Sequence, residues 1–275
     1  MTTPATAKTW FITGTSKGFG RIWAEAALER GDRVAATARD ASTLDELVER
    51  YGDRALPLQL DVTDRNAVFE AVATAHAHFG RLDVVVNNAG YGLFGAIEEI
   101  SEQQARDQIE TNVFGALWVT QAALPFLRQQ GSGHFLQVSS IGGISAFPYL
   151  GLYNASKWGL EAFSQSLAAE VKPFGVHVTL IEPGAYGTDW GSASAVVAAP
   201  LPAYDWIREA RKSRPMTSMD PAATPSAILA VVDAEEPPLR LFLGAAPFSI
   251  MEADYARRKE TWEAWREVSE AAASR

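Results

Sequence analysis

Tyr153 and Lys157 lie four residues apart in Tyr153-Asn154-Ala155-Ser156-Lys157, a spacing that sets both on one face of a helix. A phenol beside an ammonium is a candidate proton donor, although such a pair taken alone is more often a solvated surface pair. Ser139-Ser140 stand shortly before it, at the end of a strand-like run. Near the N-terminus, Thr13-Gly14-Thr15-Ser16-Lys17-Gly18-Phe19-Gly20 forms a turn whose glycines let backbone N–H groups approach a pyrophosphate at a helix N-terminus. Its spacing is Gly-x-x-x-Gly-x-Gly rather than the Gly-x-Gly-x-x-Gly dinucleotide fingerprint, so by itself it also fits a plain tight turn. Asn87-Asn88-Ala89-Gly90, in isolation, is an Asn/Gly turn. Asp61-Val62 offers a carboxylate that either caps the next helix or accepts an adenine amino proton.

The elements that must position these residues alternate along the chain. Strands are expected at 9–13, 34–38, 55–62, 82–86, 135–139 and 176–181, with 239–243 as a seventh. Helices are expected at 20–30, 43–51, 64–79, 101–130 and 152–171. Gly31 ends the first, and Ser101 with Gln104 three residues on matches a capping box at the start of the fourth. Continuous apolar strands separated by helices indicate a parallel sheet covered on both faces. The expected fold is therefore α/β, a doubly wound parallel β-sheet of Rossmann type, in which ligands bind at the carboxyl ends of the strands. Every motif above falls at such an end or in the helix after it. Residues 1–275 are expected to form a single domain: a nucleotide-binding and catalytic core at 9–183, a substrate-covering loop region at 184–221, and a C-terminal helix at 249–273. The loop region carries Pro200, Pro202 and Pro215 and the isolated aromatics Tyr186, Trp190, Tyr204 and Trp206.

Composition bounds the function classes. A chain of 275 residues and 29.8 kDa, with 47% hydrophobic residues, can bury its core without disulfide or metal staples. A formal charge of −9 gives no global attraction for nucleic acid or anionic membranes. With no cysteine, thiolate zinc sites, iron–sulfur clusters and cysteine nucleophiles are excluded. The four histidines are scattered, so no metal is expected, and no Gly-x-Ser-x-Gly elbow is present. The N-terminus lacks a signal-peptide pattern and no long apolar run suggests a membrane span; a cytoplasmic protein is expected.

Taken in order, Gly14/Gly18/Gly20, Asn87–Gly90, Asn112, Ser140, Tyr153-x-x-x-Lys157, and Pro183-Gly184 with Thr188 resemble the short-chain dehydrogenase/reductase family in its single-domain form. The resemblance is close over 9 to about 190 and holds only in outline beyond. It implies a catalytic group of Ser140, Tyr153, Lys157 and Asn112. It also implies cofactor contacts from Gly14, Ser16, Lys17, Gly18, Phe19, Gly20, Arg39, Asp61, Val62, Asn88, Ala89, Gly90, Tyr153, Lys157, Pro183, Gly184 and Thr188. Physical chemistry agrees with those roles. Tyrosine, with a pKa of ~10, needs help to donate protons at neutral pH, and Lys157 and the positive nicotinamide ring would supply it by stabilising tyrosinate. Ser140 would polarise the substrate oxygen, and Asn112 would hold a water linking Lys157 to solvent.

Cofactor choice turns on the end of the second strand, where NAD enzymes of this fold present an acid to the ribose. Here Thr37 and Ala38 are followed by Arg39, and Lys17 lies in the glycine turn, so NADP (NADPH) is expected over NAD. Asp40 keeps NAD use open. Tyr91, Leu93, Phe94, Ile141, Ile144, Phe147, Tyr149, Leu150, Tyr186 and Trp190 suggest a hydrophobic pocket for aromatic or bulky aliphatic ketones and alcohols. The resemblance further implies a homodimer or homotetramer through the helices at 101–130 and 152–171. The rival readings are an NAD-using dehydrogenase or epimerase on the same fold, and a nucleotide-sensing protein without turnover.

Overall fold

A computed structural model describes residues 7–192, 194–213 and 218–273; Pro215 of the loop region lies outside the described residues. Seven parallel strands form one sheet in the order β3-β2-β1-β4-β6-β7-β9. They are β1 (Thr9–Ile12), β2 (Arg33–Ala38), β3 (Ala55–Gln59), β4 (Val84–Asn87), β6 (Gly133–Val138), β7 (Val176–Pro183) and β9 (Arg240–Leu243). A separate two-stranded ribbon pairs β5 (Leu93–Phe94) with β8 (Val196–Val197). The doubly wound parallel architecture expected from the apolar runs is what the chain forms.

The central strand shows why. Trp10, Phe11 and Ile12 are all fully buried, yet successive side chains point to opposite faces. Trp10 and Ile12 join one core with Trp23, Ala27 and Leu28 of α1 (Gly18–Arg30) and Ile228 and Val231 of α8 (Pro225–Asp233). Phe11 joins the other, with Val68 and Val72 of α3 (Arg65–Phe79) and Val119 and Leu127 of α5 (Gly115–Gln130). Truncating a core phenylalanine costs ~3–5 kcal/mol, a large part of a typical folding free energy, so a strand buried on both faces must be continuously apolar. The strand order reverses direction between β1 and β4, opening a crevice at their carboxyl ends.

Several elements differ from the periodicity. The helix expected at 101–130 begins with the Ser101–Gln104 capping box and runs as α4 (Glu102–Ile109) and α5, joined by a π turn at Glu110–Phe114. The helix expected at 249–273 starts earlier as α9 (Ala246–Ala264) and breaks at Trp265 before α10 (Arg266–Ala271). The third strand stops at Gln59, because Asp61 and Asp64 turn the chain with side-chain bonds to backbone N–H groups two and three residues on. The remaining helices are α2 (Asp45–Tyr51), α6 (Gly151–Val171) and α7 (Asp205–Ser213). No helix among the described residues is long and apolar enough to cross a membrane.

Candidate active site

The glycine turn between β1 and α1 is built so that backbone alone faces the crevice. Gly14 and Gly18 adopt φ of +70° and +60°, conformations that glycine takes without strain. At Gly20 the reason for glycine is contact: a Cβ there would lie 2.4 Å from the Gly14 carbonyl oxygen and 2.5 Å from Asn88 Nδ2. Asn88 locks the arrangement by donating to the carbonyls of Thr13 and Gly14 at 2.9 and 3.0 Å. Thr13 Oγ1 in turn accepts from the backbone N–H groups of Asn88 and Ala89, both at 3.0 Å. The Lys17 side chain does not cap α1, so the first-turn N–H groups stay open to an anion. A cradle that a Cβ would fill, at an uncapped helix start, fits a pyrophosphate. Ser16 and Lys17 lie exposed beside it, and Phe19 stacks on Trp23 and meets Tyr186 edge-on.

The ends of two strands, β4 and β6, bring the proton-transfer candidates together with α6. Tyr153 and Lys157, on the first turns of α6, are each 6% exposed. The Lys157 ammonium donates to the Val138 carbonyl at the end of β6 at 2.7 Å and lies 5.8 Å from the Tyr153 ring centroid. Ser140 follows β6 directly; its Oγ accepts from the Gly142 N–H at 3.0 Å, and it faces the Tyr153 phenol closely enough to favour the ionised form. Burial pushes the Tyr153 phenol up to about 12 against the lowering effect of Ser140. Burial likewise pushes Lys157 down to about 8, with Glu161 opposing. Asn112 occupies the π turn, a helix distortion that frequently accompanies functional sites. Its amide is engaged with the Tyr91 backbone N–H and C=O, both at 3.1 Å, and with Ser156 Oγ at 3.0 Å, so it ties the loop after β4 to α6. Gly90 fits between Asn112 and Lys157, 3.0 Å from Oδ1 and 3.7 Å from Nζ as measured from a notional Cβ.

Above Tyr153 the walls are apolar. Phe94, Leu150 and Tyr153 form a cluster joined by Phe147, Tyr149, Trp190 and Ala195. Trp190 lies 4.8 Å from the Tyr153 ring and 5.1 Å from Phe94, centroid to centroid. The β5–β8 ribbon holds this part of the loop region over the crevice. Ile141 and Ile144 are buried beside Ser140, whereas Tyr186 packs toward Phe19 and the glycine turn. Tyr149 takes φ +72°, a strained value for a non-glycine, and the Arg211 guanidinium lies 5.3 Å from its ring.

At the adenosine end, Arg39 is exposed at the end of β2. The Asp40 carboxylate instead accepts from Ser42 N–H and Oγ at 3.0 and 2.7 Å, which lowers its pKa and commits it to capping the next turn. Lys17 pairs with Asp189 at 3.2 Å, an ion pair that joins the glycine turn to the loop region. Asp61 is exposed and holds Thr63, while Val62 is buried. Pro183 ends β7, a Cβ on Gly184 would lie 3.3 Å from Met219 and Pro247, and Thr188 caps the turn at Trp190.

The sequence reading missed Thr13 as the hub of the turn, the Lys17–Asp189 pair, and the buried Glu161 and Glu182 paired with Arg240 of the edge strand. Only Glu182 left a signal in the sequence, as the one acid directly after the apolar pair Leu180-Ile181. Among the described residues no three His, Asp or Glu side chains gather as metal ligands.

Comparison with known proteins agrees with this geometry. The family model described as short chain dehydrogenase matches residues 8–195. The chain is 43% identical to oxidoreductase BOA17 of Botryotinia fuckeliana over 274 residues, 97% of this chain and 99% of that one. The crystal structure of a short-chain dehydrogenase from Streptomyces avermitilis superposes with a TM-score of 0.91 at 40% identity, covering 97% of this chain and 98% of the other. An alcohol dehydrogenase from the archaeon Thermococcus sibiricus, solved with 5-hydroxy-NADP, gives 0.74 at 28% identity over 86% of this chain and 96% of its own. Motif order, sheet topology and relatives spanning nearly the whole chain converge: this protein belongs to the short-chain dehydrogenase/reductase family and is an NAD(P)-dependent oxidoreductase.

Proposed function

We propose that the protein interconverts a ketone or aldehyde and its alcohol on a hydrophobic, aromatic or bulky aliphatic substrate, using NADP, with Tyr153 as the acid/base. The observation that carries this reading is the buried Tyr153 phenol, facing Ser140, near Lys157, and roofed by Trp190, Phe94 and Leu150. Because Ser140 Oγ already accepts from the Gly142 N–H, its own proton is available to polarise a substrate oxygen. Tyr153 hands that oxygen a proton in reduction and takes one back in oxidation. Its phenol is too weakly acidic alone, and the Lys157 ammonium lowers the cost of tyrosinate. Asn112 fixes α6 against the loop after β4, and in this reading supports the route by which Lys157 regains a proton.

The cradle of Gly14, Gly18 and Gly20 would hold the pyrophosphate, with Ser16, Phe19, Asn88, Ala89, Gly90, Pro183, Gly184 and Thr188 around the remainder, and Asp61 and Val62 at the adenine. Bound there, the nicotinamide supplies or accepts the hydride. Arg39 and Lys17 favour a 2′-phosphate, because Asp40 is already occupied by Ser42 and no other acid ends β2. In the same reading the chain works as one domain, with 184–221 as its substrate cover, in a cytoplasmic homodimer or homotetramer acting on a small-molecule substrate.

A panel of carbonyl compounds tests this. Aryl and bulky aliphatic ketones are expected to oxidise NADPH faster than NADH, and faster than sugars or small keto acids. Tyr153→Phe lowers turnover by roughly 10²–10⁴ while cofactor still binds, and Arg39→Ala weakens NADPH binding selectively. Near-normal turnover in Tyr153→Phe would overturn the mechanism, and nucleotide binding without turnover of any substrate would favour a sensor. Equal use of NADH would overturn the cofactor assignment.

A further inference from the structure

One helical turn beyond Lys157, α6 carries Glu161, which is 6% exposed. Opposite it β7 carries Glu182, fully buried in Thr179-Leu180-Ile181-Glu182-Pro183. A single cation answers both. Arg240 of the edge strand β9 places Nε 2.9 Å from Glu161 Oε2 and 3.4 Å from Glu182 Oε1, and it donates to Gln165 at 2.9 Å. As ionised groups, Glu161 Oε1 and both Glu182 oxygens receive no hydrogen bond from the described residues. Two buried carboxylates with one counter-charge are costly, and a proton held between them removes both the surplus charge and the missing donor. Burial and the neighbouring Glu161 push the Glu182 carboxyl up to about 9. The cluster adjoins the catalytic loop: a Cβ on Gly143 would meet Ser139 Oγ at 2.6 Å and Glu161 Cγ at 3.0 Å. Ser139 immediately precedes Ser140.

We propose that Glu161 and Glu182 share one proton at neutral pH and that the negative charge gained when it leaves holds Lys157 as an ammonium, extending the alkaline range of the Tyr153 donor. The proposal rests on the acid–base reading of Tyr153 and Lys157 above. With the proton in place the two glutamates and Arg240 sum to zero; without it they carry a net −1 beside a lysine whose charged form burial disfavours. Glu161 already raises the Lys157 pKa in opposition to that burial. Glu161 and Glu182 are thus positioning residues, touching neither cofactor nor substrate.

The other titratable groups on the packed elements leave the pair as the controlling charge. On α6 itself they are Tyr153, Lys157 and Glu170, the last exposed near the far end of the helix. Asp254 and Arg258 of α9 are satisfied by each other and by Ser145 and the Ile144 carbonyl of the loop. Glu102 and Arg106 on α4 pair together at the surface, and Asp107 accepts from Gln103. Glu110 lies half-buried in the π turn. His134 and His177, on β6 and β7, sit at the opposite end of their strands.

The test is the pH profile of kcat for NADPH-dependent ketone reduction by the full-length protein, joined to infrared spectroscopy of the enzyme alone. Glu182→Gln leaves Glu161 paired with Arg240 and removes the titrating proton. The upper part of the alkaline limb, above the pH at which the shared proton leaves in the wild type, is expected to move down, with the plateau and the lower part of the limb retained. Arg240→Gln, on a partly exposed edge strand, makes the cluster more negative and moves the limb up. The wild type shows a protonated-carboxyl band at neutral pH that is absent from Glu182→Gln. Opposite shifts in the two variants and loss of that band support the proposal. Unmoved limbs in folded variants, or no protonated carboxyl at neutral pH, overturn it, as does a change confined to Tm. If no ketone is turned over, the reductase reading has failed, and the infrared band, which needs no turnover, still decides whether the proton is shared.

Discussion

At the scale of the residue, the site gives two groups proton affinities that water would not give them. Tyr153 is pushed up to about 12 and Lys157 down to about 8, both chiefly by burial. For Lys157 this has a consequence for stability that is separate from catalysis. Its folded pKa lies below the ordinary lysine value of 10.5, so between about 8 and 10.5 the unfolded chain binds more protons than the folded one. Stability attributable to this group therefore rises with pH across that window, and the cost of burying the ammonium is fully present below about 8. Lys157→Met is accordingly expected to raise Tm at pH 7 while abolishing turnover, with the gap to wild type narrowing as pH rises through the window. Thermal melts across pH read this directly, and an unchanged or lower Tm at neutral pH would contradict it. Strain kept at a functional position and removed by an inert substitution is the usual form of a stability–activity trade-off. That Tyr153, Lys157 and Ser140 meet at the end of one strand was legible, because ordered motifs fix their spacing on β6 and α6. Their protonation states were not, because those depend on burial by Trp190, Leu150 and Phe94 from distant parts of the chain.

At the scale of the element, the glycine turn makes the sharpest demand. Gly20 faces the Gly14 carbonyl and the Asn88 amide, and neither can yield: the first is backbone, and the second holds two carbonyls of the same turn. Gly20→Ala is expected to fold, since the turn is peripheral to both cores, and to weaken nucleotide binding by at least tenfold in a fluorescence titration; unaltered affinity would show that the turn does not serve as the cradle. The strands of the sheet were readable from apolar runs flanked by Gly, Asp and Asn, because burial on both faces leaves little freedom in composition. The β5–β8 ribbon was not, since two-residue strands carry no periodicity. The π turn at Glu110–Phe114 was equally hidden, because it changes the hydrogen-bond spacing within a helix without changing the hydrophobic pattern. Helix α7 went unread in a stretch that its prolines marked as irregular, and α8 went unread beyond that stretch, although Pro225 stands at its start, where proline is tolerated.

At the scale of the whole molecule, the question is what covers the outer face of the helices next to the site. Phe114 and Trp158 remain 38% and 40% exposed, and Phe114 stacks on Trp118 with ring centroids 5.8 Å apart. These aromatics belong to the π turn, α5 and α6, the same elements whose inner faces carry Asn112, Tyr153 and Lys157. Each chain carries a formal −9, so copies repel at long range; at physiological salt, however, that repulsion is screened beyond ~8 Å. Association must then come from apolar contact, and a stable interface needs ~800 Å² from each partner with aromatics at its centre. Pairing α5 and α6 with their copies across a two-fold axis would bury this face and brace the helices that hold the proton donor. Light scattering at micromolar concentration is expected to give two or four times the 29.8 kDa chain mass. Phe114→Glu places a charge in the face and is expected to reduce the mass to a single chain, with circular dichroism unchanged. A wild-type mass of one chain would overturn the assembly, and a Phe114→Glu variant that stays oligomeric would move the interface elsewhere, with the exposed Trp262 and Trp265 at the end of α9 as the next surface to probe.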